Sequence, residues 1–415
     1  MTDKVDAQTF RPQPGTPFTV RARWIFPVAD DPLPGGAVEV AADGRVLCVH
    51  RQSPTGARDL GDVALIPGLI NAHTHLEFSE LTKPLEPSRP FSDWLRALLG
   101  YRRSRGDARR AIQAGLAESQ RCGTIALGDI DTRGQPDQYA DGRSTQVTAF
   151  RELLGLDPAT VALQLGTAAE FLDHPRGADE TGGTVVRSLS PHAPYSVHPR
   201  LLDGIISLAA TRQRPVAIHL AESRAELELL ASGTGELVDL LTEAGIWQGA
   251  LYPSGTTPLD FLRRLESLPR VVIAHGNYFN ETELDFLARH PNLAVAFCPR
   301  THAFFGHRNH PWRELAARGG VVALGTDGRC SNPDLSIWHE LQFLRGQFPD
   351  YSAAGLLRMG TINGARALGR VDRLGTIEPH KSPGLAVIRL GRVGAPDAYD
   401  ELLHPDSEVV NLIAG

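Results

Sequence analysis

The stretch Leu65-Ile66-Pro67-Gly68-Leu69-Ile70-Asn71-Ala72-His73-Thr74-His75-Leu76-Glu77 opens on branched apolar side chains and closes on two histidines one residue apart. A short apolar run bounded by Pro and Gly has the pattern of a buried strand. Side chains at i and i+2 of a strand leave on the same side, roughly 6.6 Å apart along it. Two imidazoles held this way can converge on one metal ion. Taken alone, the pair reads equally as one core histidine beside a polar strand end, so the rest of the chain has to decide.

Further apolar runs follow at 124–130, 145–153, 184–195, 215–223, 270–278, 293–300 and 321–328. Amphipathic helical stretches at 107–123, 199–213, 281–290 and 310–320 separate most of them. Eight strands with intervening helices over some 300 residues predict an α/β fold of the (β/α)8 TIM-barrel type. A doubly wound open sheet is the alternative, but no GxGxxG opens a helix, which disfavours a dinucleotide-binding version. Loops 132–144 and 227–262 are longer than ordinary connections.

Upstream, FTVRARWIF, GAVEVAADGRVLCVH and DVALI read as short strands between turns, with AADG as a hairpin turn. They cannot close a core by themselves, and a matching strand, Gly384–Leu390, lies near the other chain end. The expected organisation is a flexible arm over 1–16, a small β-sandwich built from 17–66 plus 371–415, and a catalytic barrel over 67–370.

The 415 residues are 42% hydrophobic and 22% charged, with a net charge of -6, the balance of a globular protein without an electrostatic case for nucleic-acid binding. Cys48, Cys122, Cys298 and Cys330 form no CxxC pair, which argues against a thiolate zinc site or a disulfide framework. The polar N-terminus resembles no signal peptide and no apolar run reaches a membrane span, so a cytoplasmic protein without membrane partners is expected.

Chemistry-bearing residues collect at predicted strand ends. His73 and His75 end the first strand, His192 the fourth, His219 the fifth with Glu222 three residues on, His275 the sixth, and Asp327 the eighth. In a barrel these ends open on one face, where active sites sit. Five imidazoles and two carboxylates at the ends of five strands make a joint accident improbable.

The segments PGLINAHTHLE, SPHAPYSV, IHLAES, IAHGNY, FCPRTH and LGTDGRCSNPDLSIWHEL, in this order over about 65–340, resemble those of the amidohydrolase superfamily. The branch they resemble holds metal-dependent nucleoside and nucleobase deaminases and triazine chlorohydrolases. The resemblance implies that His73, His75, His219 and Asp327 ligate a divalent metal, for which Zn2+ is expected and Fe2+ or Mn2+ would also suit. It implies that hydroxide generated at the metal deaminates a small purine-like nucleoside or base, of adenosine or aminodeoxyfutalosine type. Asp327 would accept a proton as well as bind the metal, Glu222 would be the general acid/base, and His275 would hydrogen-bond the attacking water or developing oxyanion. His192 would face the substrate.

Related enzymes with two metals bridge them with a carboxylated lysine on the fourth strand. The only lysines here are Lys4, Lys83 and Lys381, so one metal per chain is expected. Further candidates for substrate binding are Glu77, Arg151, Glu152, Arg300 and His302, with Phe304 and Phe305 suited to stacking on a flat ring. Ser331 and Asn332 would shape the last loop and support the metal site. Gly328 stands where many relatives have Ser. A chlorohydrolase or cyclic amidase could use the same site, and a non-catalytic scaffold is the reading from a different class. Homodimers are common in the family, although no feature of this sequence shows one.

Overall fold

In the computed structural model, which describes residues 3–135, 138–139, 145–173, 185–247, 249 and 251–413, eight parallel strands follow one another in chain order. They are β1 (Leu69–Thr74), β2 (Thr124–Asp131), β3 (Gln146–Leu153), β4 (Val185–Pro191), β5 (Val216–Leu220), β6 (Val271–His275), β7 (Leu293–Phe297) and β8 (Val321–Leu324). Parallel pairing runs from β1 to β8. A bridge between Thr74 and Asp327 brings the two ends together, where the Thr326 and Asp327 amides both donate to the His73 carbonyl at 3.1 Å. Every residue of β1, β5, β6, β7 and β8 is buried. That two-sided burial explains why these strands read as continuous apolar runs instead of alternating ones.

Helices at Arg109–Arg121, Pro199–Thr211, Glu281–Arg289 and Trp312–Ala317 fall inside the expected helical stretches. The long 227–262 region is largely helical, within Arg224–Ser232, Glu236–Glu243 and Pro258–Leu265. Most of the 132–144 loop lies outside the described residues. A helix that the sequence reading did not include, α1 (Phe91–Ser104), follows β1. No described helix is long and apolar enough to cross a membrane.

The opening stretch serves two sheets. Val63–Pro67 pairs with Leu385–Arg389, which in turn pairs with Glu408–Ile413; Trp24–Ile25 and Leu33–Pro34 complete a five-stranded sheet. After Gly68 the chain crosses into the barrel as β1. A Cβ on Gly68 would stand 2.8 Å from the Ile125 side chain and from the Pro383 carbonyl, so only glycine fits this crossing. A second five-stranded sheet contains Phe18–Arg21, Ala37–Val40 and Val46–His50. Val20, Val38 and Val46 from it share an apolar core with Ile25, Leu65 and Val387 from the first sheet. The segment read as a loose arm carries a two-residue strand, Asp3–Lys4, parallel to Arg58–Asp59. Asn411 Nδ2 also donates to the carbonyls of Ala7 and Phe10, at 2.9 Å each.

One buried carboxylate ties the chain ends together. Glu401 accepts from Arg23 Nε and Nη2 at 2.8 and 3.0 Å, from Trp24 Nε1 at 2.9 Å and from the Gly394 amide at 2.7 Å. The Arg23 hydrogen bond is the main cause holding its pKa down at about 2, against an ordinary 4.5. The sign follows from linkage: the stabilisation is full above the ordinary value and is lost as pH falls through 4.5 towards 2. Glu401→Gln is expected to lower stability at pH 7 by roughly 2 kcal/mol. Denaturant titrations should show the gap from wild type closing between about pH 5 and pH 2, and a gap that does not change with pH would refute the assignment.

Candidate active site

The strand ends gather the predicted residues. One donor atom each from His73, His75 and His219 lies within 4.8 Å of the others, and the same holds for His73, His275 and Asp327. His75 Nε2 is 3.2 Å from His219 Nε2, while His75 Nε2 and His73 Nε2 stand 3.4 and 3.6 Å from Asp327 Oδ1. All five residues are buried. Two nitrogens bound at about 2.0–2.1 Å to one tetrahedral zinc ion stand roughly 3.3 Å apart, which is the spacing seen here. Both ring nitrogens of His73 and Nδ1 of His75 are buried without a hydrogen-bond partner, a costly state in a closed site that lacks a ligand. Burial pushes His75 and His219 well below the usual histidine pKa, so their rings are neutral, the form a metal needs. His219 Nδ1 is 3.0 Å from the His192 carbonyl, which directs its proton there and leaves Nε2 as the free donor. The donor set therefore fits a divalent metal.

Three residues at these strand ends adopt positive φ without being glycine: Ala221 (54°), His275 (70°) and Asp327 (56°). Such geometry costs on the order of 1–3 kcal/mol each and persists where the surroundings hold it. Asp327 is held by Thr74 Oγ1 donating to its carbonyl at 3.0 Å and Ser331 Oγ donating to Oδ2 at 2.5 Å. Asn332 Nδ2 donates to the Thr326 carbonyl at 2.7 Å, so both residues of the expected supporting pair brace this loop. Ala221 and Glu222 are held by Glu226, whose buried carboxylate accepts their two amides at 2.8 and 2.9 Å. Asn277 Nδ2 donates to the Glu222 carbonyl at 2.8 Å.

The two acids of the site are driven apart. Burial, reinforced by Asp327 and Glu226, raises the Glu222 pKa well above the ordinary carboxyl value and so favours its protonated form. Burial pushes Asp327 up as well, but the facing His73 ring, 3.6 Å away, and the neighbouring imidazoles outweigh it, and its carboxyl is held below the usual range. The two carboxyls are thus shifted in opposite directions, the pattern that separates an acid from a base. His275, lowered by burial to about 3, faces Glu222 Oε1 across 3.5 Å. Glu226→Gln keeps the size of the side chain but presents an NH2 to one of the two amides. It is expected to lower kcat by roughly 10–100-fold, because a displaced reacting group loses about that much. Metal content should stay at the wild-type level, and unchanged kcat in steady-state assays would remove Glu226 from this role.

The residues expected to contact substrate divide. His192 borders the cavity over the metal donors, with Nδ1 2.6 Å from Ser196 Oγ and Nε2 4.0 Å from Glu152 Oε1. Glu152 is buried and turned to this side, with Oε1 unpartnered and Oε2 3.8 Å from Arg102. Arg151 turns away, its Nη1 donating to the Asp131 carbonyl at 3.2 Å. Glu77 is consumed by protein partners: Arg102 at 2.6 Å, Thr132 Oγ1 at 3.0 Å, and Arg105. Arg300 is also taken up, pairing with Asp334 at 2.7 Å and the buried Glu340 at 2.8 Å, which corrects its reading as a pocket residue. His302 sits among aromatic rings, 5.4 Å from His307 and 5.6 Å from His310, and does not border the cavity. Phe305 packs on Phe91 and Trp94.

What the sequence reading missed is α1. Its Phe91, Trp94, Leu95, Leu98 and Arg102 cover the barrel mouth and leave a cavity of about 40 Å3 over the metal donors. Their spacing of three or four residues is that of one helical face and was available as a clue. Arg102 Nη2, between Glu77 and Glu152, brings a cation to the cavity wall.

Comparison with known proteins adds four findings. Residues 64–413 match the sequence profile of the amidohydrolase family. The chain is 30% identical over 355 residues to the aminodeoxyfutalosine deaminase of Deinococcus radiodurans, covering 81% of this chain and 82% of that protein. It is 29% identical over 370 residues to the 5-methylthioadenosine/S-adenosylhomocysteine deaminase of Moorella thermoacetica, covering 86% and 78%. The fold superposes on that of a Xanthomonas campestris adenosine deaminase solved with bound zinc, with a TM-score of 0.76 and 22% identity over 99% of this chain and 91% of that one.

Proposed function

Because this chain belongs to the amidohydrolase family, we propose that it hydrolyses a carbon–nitrogen bond outside peptides, removing the amine from a purine-like ring of adenosine or aminodeoxyfutalosine type. The observation that carries the reading is the gathering of His73, His75, His219 and Asp327 donor atoms at one buried point, with Glu222 3.5 Å from the adjoining His275. The names of the relatives support the substrate class.

His73, His75, His219 and Asp327 would hold one divalent metal, zinc by the donor set, whose Lewis acidity lowers the pKa of water into the neutral range. Asp327 takes a proton from the attacking water. Glu222 gives its proton to the ring nitrogen beside the amine-bearing carbon, so that negative charge does not build on the ring. The His275 imidazole steadies the oxygen added to that carbon. The departing amine takes the proton that Asp327 had accepted and leaves as ammonia. Glu222 recovers a proton from the new hydroxyl as the carbonyl forms. Both protons of the water are thereby accounted for, one on the ring and one in ammonia. His192 and Glu152 would hold the remainder of the substrate.

Metal quantification on purified protein, followed by an ammonia-release screen of aminopurines and their nucleosides, tests this reading. Turnover of an adenosine-type compound by protein carrying about one metal per chain is the expected result. A silent amine panel together with turnover of cyclic amides would overturn it.

A further inference from the structure

A second cavity, of about 460 Å3, opens beside the first, and three arginines border it: Arg89 from the segment before α1, Arg224 directly after the Glu222-Ser223 pair, and Arg308 after β7. Phe91 borders both cavities. The guanidinium of Arg224 lies over the Tyr278 ring at 5.0 Å, and Tyr278 Oη is 2.7 Å from His307 Nδ1. Arg89 covers Gly306, where a Cβ would meet its Nη1 at 2.9 Å. Gly306 and His307 are chain neighbours, so Arg89, which covers Gly306, and Arg224, which stacks on the Tyr278 that meets His307, approach the same turn.

No ion pair ties any of the three to a carboxylate among the described residues. The one acid on this cavity's wall, Glu236, is already engaged by the Ser92 amide at 3.1 Å and the Ser92 hydroxyl at 2.7 Å. Three guanidiniums against one carboxylate on the wall, in a chain of net charge -6, leave a local positive field beside the reaction site. Guanidinium forks match carboxylate and phosphate oxygens in geometry. The cavity over the metal donors, at about 40 Å3, holds little more than the reacting part of a ring, so the remainder of a larger substrate must extend elsewhere.

We propose that Arg89, Arg224 and Arg308 form a specificity subsite for an anionic group, a carboxylate or a phosphate, carried by the substrate at the end remote from its amine. This rests on the deaminase reading of the neighbouring site. The amine-bearing ring sits at the metal donors, the Phe91 ring turns aside to join the two cavities, and the tail passes into the arginine-lined one.

The test compares adenosine derivatives whose 5′ substituent ends in a carboxylate, in a phosphate, or in the methyl ester of that carboxylate, using the metal-loaded full chain. The acid or the phosphate should exceed the ester in kcat/KM by at least about 30-fold, mainly through KM, and the larger of the two gains identifies the group the subsite takes. R89Q/R224Q/R308Q should cut that preference to within about threefold while the ester's kcat changes little. Raising the salt concentration should narrow the preference in wild type, as expected for an exposed cationic site. Equal kcat/KM for the charged and neutral tails, or a preference that survives the triple substitution, overturns the subsite and leaves the deaminase reading standing. If none of the compounds releases ammonia, the deaminase reading fails. Calorimetric titration of the same compounds then decides the subsite separately. Tighter binding of a charged tail that is lost in the triple variant supports it, and equal binding of charged and neutral tails rules it out.

Discussion

Glu222→Gln should reduce turnover by about a thousandfold, within the range set by loss of a positioned acid, while the metal stays bound. The substitution is unusually clean here. Burial favours the protonated, neutral form of Glu222, and glutamine copies the shape and charge of that form. The backbone stays held, because the contacts of Ala221 and Glu222 with Glu226 and Asn277 run through main-chain atoms. Only the releasable proton is lost. The melting temperature and metal content should therefore match wild type, while ammonia release falls to near background. A variant that keeps most of its activity would show that the proton for the ring nitrogen comes from another group.

Asp327→Asn should be nearly as damaging to turnover and, unlike Glu222→Gln, should also empty the site of metal. Asparagine tolerates the positive φ at this position and can still accept from Ser331, so the strand end keeps its shape. What disappears is the charge that balances a metal among three imidazoles and accepts the proton from water. Metal content after dialysis should fall to a small fraction of wild type. Turnover should fall by roughly a thousandfold or more, the combined loss of a ligand and a base. Removing metal from wild type with a chelator should reproduce the loss, and added zinc should restore the wild type far more fully than the variant. Full metal occupancy in Asp327→Asn would mean that the ligand set lies elsewhere, with His275 the first replacement to consider.

The parts of this site that could be read from sequence share a physical origin. Apolar runs report burial on both faces of a strand, and a polar residue ending such a run must be satisfied or used. That logic marked His73, His75, His219, His275 and Asp327 from their positions alone. It had less hold on Glu77, Arg151 and Arg300, because a charged side chain near a strand end has several ways to turn. Arg300 meets Asp334 and Glu340, and Glu77 meets Arg102 and Arg105, partners brought in by folding. Glu226 reads in sequence as one more acid on a charged helix, although its carboxylate shapes the turn that carries Glu222.

The sequence by itself determined which chemical groups stand at the ends of which strands, because strand order and burial are written in the period and length of the apolar runs. Only the tertiary structure decided that donor atoms of these groups come within 4.8 Å of one another, that α1 closes over them, and that Arg102 reaches the cavity wall. It also decided the direction in which each acid is shifted. Glu222 and Asp327 are the same kind of acid in the sequence, and they separate into a proton donor and a proton acceptor only when burial and neighbouring imidazoles act on them with different strength.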